Sequence, residues 1–141
     1  MHPRILFVSA FIVSCWLSPL AAQSPSPAEA RVYFVSPKDG DHLATKLEVR
    51  FGLSGMGIAP AGIEMTNTGH HHLLVNASPA PDLNQPLPSS EMVRHFGKGQ
   101  TEARLELAPG VYTLQLVLAD HLHRPHQPPV LSEIITVTVE K

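Results

Sequence analysis

Alternation with a period of two constrains this chain more than any other feature. "LEVRFGL" places Leu47, Val49, Phe51 and Leu53 on one side of an extended segment and Glu48 and Arg50 on the other. "EARLEL" repeats the pattern with Leu105 and Leu107 inside. "VYTLQLVL" aligns Tyr112, Leu114, Leu116 and Leu118, and "IITVTVE" aligns Ile135, Val137 and Val139. "RVYFV" is apolar on both faces, as a more deeply covered strand would be. No segment carries an apolar period of 3.6 over ten residues, so helices do not build this core. "SPKDGDH" and "APG" are turn sequences, and "MTNTGHHHLLVNA" supplies another strand starting near His70. Six or seven half-buried strands predict an all-β fold: a single immunoglobulin-like or fibronectin-like β-sandwich, with a small barrel as the alternative. The "PGVYTLQLVLAD" run, with its tyrosine near the strand start, reads as a late strand of such a module. Residues 55–69 and 78–92 are not strand-like and form long loops, where function tends to lie.

The first residues are a different text. "MHPR", the apolar run "ILFVSAFIVSCWL" and the small residues of "SPLAAQS" read as a signal peptide over 1–22, cut after Ala22. The run is just short for a membrane helix and is broken by Pro19, so no membrane span remains after signal removal. "IVSC" loosely fits a lipoprotein box at Cys15, but Trp16 follows and the apolar run continues, which favours a discarded signal. The expected location is periplasmic or secreted. The remaining chain has no cysteine, so no disulfide holds it. "QSPSPAEA", residues 23–30, reads as a flexible Pro/Ser spacer ahead of a domain over 31–141. A formal net charge of −2 indicates no polyanion partner, and hence no nucleic acid.

Histidine carries the chemistry. Of nine histidines, His2 lies in the signal, and six of the other eight fall in two groups, "GHHHLL" and "DHLHRPH". On a strand, His70 and His72 point one way and His71 the other, and side chains two apart lie roughly 6–7 Å apart. Two imidazoles at that spacing can close on one metal ion. His121 and His123 repeat the His-x-His pattern after Asp120, and His126 follows in a proline-stiffened "RPHQPP". His95 in "RHFGKGQ" is a further candidate. The bland alternatives are a solvated surface run and, for His71, a hydrogen-bonding core residue. His42, after a turn, reads as an ordinary surface histidine. Imidazole with a carboxylate and no thiolate suits Zn(II), Cu(II) or Ni(II), with copper and zinc the candidates and copper ahead for a protein outside the cytoplasm. Met56, Met65 and Met92 lie in or beside the long loops and would favour Cu(I), unless they simply fill gaps in packing.

No enzyme signature accompanies these residues. Ser89 and Ser90 lack a nucleophile elbow, carboxylates are scattered, and "GMGIAPAG" follows no phosphate-loop pattern. The ordered run "VYFVSPKDGD", "FGLSGMGIAPAG", "NTGHHHLLV", "HFGKGQTEA", "LAPGVYTLQLVLAD" and "RPHQPPV" resembles the bacterial secreted family described as domain of unknown function 4399. The resemblance spans Arg31 to Val139. It implies an exported protein with one small β-rich domain and brings no activity with it. Its signature positions match His70, His71, His72, His95, Asp120, His123 and His126 here, with Gly97, Gly99 and Gln100 as a turn holding His95. His121 falls where more variation is expected. The expected function is non-enzymatic: a periplasmic carrier or buffer for copper or zinc, with another envelope protein as a further partner. The alternative is a non-catalytic immunoglobulin-like module that binds envelope protein or glycan and uses its histidines as a structural network. A third, an open-site metalloenzyme, would need Glu64 or Glu91 as general base.

Overall fold

The computed structural model describes residues 22–78 and 80–141; Cys15 and the expected signal peptide, apart from Ala22, lie outside them. Among the described residues the chain forms strands and no helix. In order they are β1 (Arg31–Ser36), β2 (His42–Ala44), β3 (Lys46–Ser54), β4 (Gly57–Ile58), β5 (Thr68–Val75), β6 (Val93–His95), β7 (Glu102–Glu106), β8 (Gly110–Ala119), β9 (Pro125–Leu131) and β10 (Ile135–Glu140). One sheet has the order β1-β3-β7. The other runs β2-β10-β8-β5-β4, with β6 added on β5 and β9 on β8. With β1, β3 and β7 facing β5, β8 and β10, the domain is a β-sandwich of the immunoglobulin type.

The alternating residues meet between the sheets as the pattern requires. Leu47, Val49 and Phe51 of β3 and Leu105 of β7 pack on Leu114, Leu116 and Leu118 of β8 and on Ile135, Val137 and Val139 of β10. Leu73 and Val75 of β5 join the same core. Tyr112, at the start of β8, donates its hydroxyl hydrogen to the Ala108 carbonyl at 2.9 Å, the tyrosine corner of this architecture.

The larger sheet is also covered on its outer side. Leu74, Val93, Val117 and Ala119 form a second apolar cluster with Leu87 and Leu83 of the proline-rich 78–92 loop. Leu83 and Leu87 of this loop cover the outer side of β5, whose inner side meets the other sheet, so β5 is buried on both faces.

Two segments differ from the sequence expectation. "PHQPPVL" is a strand, β9, where the prolines suggested a stiff loop. Strand β9 pairs with the far end of β8 and β10 with its near end, so the two run consecutively along one edge of β8. Proline is tolerated there because an edge position leaves some backbone donors unneeded. Of residues 23–30, expected as a flexible spacer, 23–26 lie along β9 as a strap and Pro27 to Ala30 turn into β1. Gln127 N donates to Ser24 O at 3.0 Å, Ser26 N donates to Gln127 O at 3.2 Å, and Gln23 Nε2 reaches the Leu83 and Pro125 carbonyls. Pro/Ser composition allowed this because the bonds use carbonyls and polar side chains, which composition does not assign to partners.

Leu116 is fully buried between the sheets and Val111, five residues earlier on β8, is 65% exposed. Leu116→Ala should cost about 2–5 kcal/mol and Val111→Ala less than about 0.5 kcal/mol. Denaturant midpoints of the two variants check this, and equal losses would contradict the placement.

Candidate metal centre

The register of β5 creates the site. His70, His71 and His72 lie opposite Ala119, Leu118 and Val117 of β8. On its other edge β5 meets β6, which sets His72 opposite His95. The pleat then sends His70 and His72 to the outer face and His71 inward. His71 stacks against Phe51 in the inter-sheet core, ring centroids 5.0 Å apart. All three are fully buried.

On the outer face four imidazoles converge. His70 is 4.8 Å from His72 and 5.0 Å from His95, centroid to centroid, and His72 is 5.0 Å from His95. One ring nitrogen from each of these three lies within 4.8 Å of the others. His123 closes the remaining side at 4.6 Å from His95, 5.1 Å from His70 and 6.0 Å from His72. Neither ring nitrogen of His70 or His72, nor Nε2 of His95, has a hydrogen-bond partner. Such orphaned buried groups are rare and costly, about 1–3 kcal/mol each.

Electrostatics keep these rings neutral. Burial lowers His70 to about 4, helped by its neighbours His95 and His123 and opposed by Asp120. Burial likewise lowers His72 to about 3, with the surrounding imidazoles adding to the effect. His95 is lowered by burial and by His123. A neutral imidazole is the form that coordinates a metal.

Local structure sets each ring. Residues 97–99 form the turn after β6, with Gly99 at φ 82° and Lys98 N donating to the Gln100 side chain at 2.8 Å. A Cβ on Gly97 would overlap the His95 ring, so glycine there lets the turn pass beside the imidazole. His123 stands in the short β8–β9 connection at φ 65°, a left-handed conformation that costs a non-glycine residue about 1–2 kcal/mol.

The other expected ligands lie apart from this group. His71 faces the core. His126 is buried with Nδ1 3.3 Å from the Leu118 carbonyl and Nε2 3.2 Å from that of Thr68, and the nitrogen that carries the hydrogen donates to its carbonyl, on β8 or on β5. Asp120 Oδ1 accepts from Leu122 N and Arg124 N, and Oδ2 accepts from Ser24 Oγ. Burial alone would raise its pKa, but those hydrogen bonds and His121 bring it below the usual value. His121 lines a cavity of about 200 Å³ with Asp120 and Glu64. Glu64 and Glu91 are exposed. Met56 packs against the main core, and Met65 and Met92 are exposed, so the methionines supply no common sulfur site. His42 pairs with Glu140 on the surface. The part played by Ser24 was not legible in the sequence, since no motif marks it.

The buried rings give the fold an acid limit. His70 and His71 titrate near 4 and His72 near 3 in the folded chain, below 6.5 when unfolded. As pH falls below 6.5 the unfolded chain takes up protons first. Stability is therefore complete above pH 6.5 and is lost progressively as pH falls through about 4. Urea midpoints of metal-free protein at pH 8, 6 and 5 should fall in that order. His71→Leu, which puts an apolar group in an apolar site, should flatten part of the slope.

Comparison with known proteins adds the lineage. No curated protein matches the chain. Among solved structures, the endo-beta-1,4-mannanase from Thermotoga petrophila is similar at 20% identity with a TM-score of 0.47. The similarity covers 80% of this chain and 20% of that one, so this chain spans about one fifth of the mannanase. A family model described as Domain of unknown function (DUF4399) matches residues 49–140. That span runs from β3 to β10 and carries His70, His72, His95 and His123, and the chain belongs to the DUF4399 family.

Proposed function

We propose that this is an exported, periplasmic metal-binding protein that holds one copper or zinc ion at His70, His72 and His95, with His123 as fourth ligand, and acts as a carrier or buffer. The observation that carries this reading is the group of buried ring nitrogens on His70, His72 and His95 that have no hydrogen-bond partner and lie close together. Coordination would satisfy several of them at once. Metal–nitrogen bonds of about 2.0–2.1 Å in a tetrahedron set neighbouring nitrogens about 3.3 Å apart. The observed spread within 4.8 Å needs only small side-chain rotations to reach that. An all-imidazole set suits Zn(II) and Cu(II) and offers nothing to the oxygen-seeking Mg(II) or Ca(II). His95 and His123 are only partly buried, which gives an ion a way in and out, as a carrier or buffer requires.

The rival reading, a protein- or glycan-binding module with a structural histidine network, draws support from His126, which is placed to bridge two carbonyls. The rings of His70 and His72 do not behave that way, since their nitrogens bond to nothing.

Protein purified from periplasm without a histidine tag should carry near-stoichiometric copper or zinc, read by elemental analysis. Chelation should lower its melting temperature, and returning the metal should restore it. At free metal about a hundredfold above Kd the gain is about 2.7 kcal/mol, or several degrees in Tm. The His70→Ala/His72→Ala variant should lose this shift; an undiminished shift in that variant would sink the assignment. Because His70 and His72 stay neutral down to about 4 and 3, binding should persist below pH 6.5, where free imidazole would release the ion.

A further inference from the structure

We propose that Asp120 is a positioning residue of the histidine centre, setting the ring of His123, and that Ser24 of the N-terminal strap holds Asp120 in that role. The inference rests on the metal-binding reading and goes beyond it by making the strap part of the site.

His123 sits at φ 65°, a left-handed conformation that few non-glycine residues adopt. The backbone around it is tied to Asp120. Asp120 Oδ1 accepts from Leu122 N at 2.9 Å and from Arg124 N at 3.0 Å, the residues on either side of His123. The Asp120 carbonyl accepts from His123 N at 2.9 Å, and Asp120 N donates to Arg124 O at 2.8 Å. On the lid side, Leu87 N donates to His123 O at 2.8 Å. A short side chain that caps a turn in this way is the known route to a left-handed residue in a tight connection. The ring that results stands 4.6 Å from His95 and 5.1 Å from His70.

Asp120 is itself held. Its Oδ2 accepts from Ser24 Oγ at 2.8 Å, and the Ser24 carbonyl accepts from Gln127 N at 3.0 Å in β9. Oδ1 thus carries the two turn amides and Oδ2 the strap, so the carboxylate links the strap to the turn that holds His123. It acts through His123, as outer-shell partners of metal ligands do.

The test is Cu(II) titration against a competing chelator, with the Cu(II) paramagnetic resonance spectrum as second readout, on tag-free periplasmic protein. Asp120→Ala should weaken binding about 10–100-fold and give the spectrum of His123→Ala. The Asp120→Ala/His123→Ala double variant should bind no more weakly than His123→Ala alone. Asp120→Asn should keep near wild-type affinity, because its amide oxygen can still accept both N–H groups while its nitrogen donates to Ser24. Wild-type affinity and spectrum in Asp120→Ala would overturn the proposal, as would additive losses in the double variant. Should Asp120→Ala fail to fold, Ser24→Ala decides. Weaker binding with a spectrum shifted toward that of His123→Ala sustains the proposal, and wild-type behaviour overturns it. A wild-type protein that takes up no Cu(II) defeats the metal reading itself, and this inference with it.

Discussion

The antiparallel pairing of β5 with β8, with β6 on the other edge of β5, is the constraint on which the rest depends. It fixes which of three consecutive histidines face which layer. A shift of one residue would send His71 outward and His70 and His72 into the main core. The register is held from both sides. Leu73 and Val75 are pinned between the sheets, and Leu74 is pinned on the outer side against Leu87 of the loop and its cross-strand neighbour Val93. A strand buried on both faces has no cheap alternative register, so the histidine spacing follows from packing alone.

Stability and the candidate site pull in opposite directions. Hydrophobic burial builds a domain with no cysteine after its first residues. Within it sit the fully buried rings of His70 and His72 without hydrogen-bond partners, the half-buried His95 beside them, and His123 on a left-handed backbone. Each costs free energy that folding alone does not return. Local conflicts of this kind gather at sites that do something other than hold the fold together. Here they gather at one place, above the outer face of the larger sheet. Nearby, Asp120 is satisfied by two amides and a hydroxyl, and His126 lies between two backbone carbonyls.

Much of the fold was legible because one face of each strand meets a core. Val49, Phe51, Leu114, Leu116 and Val137 are buried where alternation places them. Strand β9 was not legible, since three prolines hide a strand that needs few backbone donors. The strap was not legible either, because its bonds run from Ser24 and Gln23 to partners about a hundred residues away. At the site, strand parity separated His71 from His70 and His72. Clustering in sequence also pointed to His126 and Asp120. Neighbours along a tight connection face different directions, and these two turn to backbone partners rather than to the four rings.

The sequence by itself determined that the chain is all-β and has no cysteine after Cys15, that its core comes from period-two strands, and that His70 and His72 share a face. These follow from the two-residue pleat and from composition, which need no knowledge of partners. Only the tertiary structure decided that this face is a second buried layer rather than a wet surface. It also decided that His95 and His123 arrive there from β6 and the β8–β9 connection, while His126 does not. Those outcomes depend on strand register and on how a proline-rich loop and a left-handed turn pack, and contacts between distant residues set both.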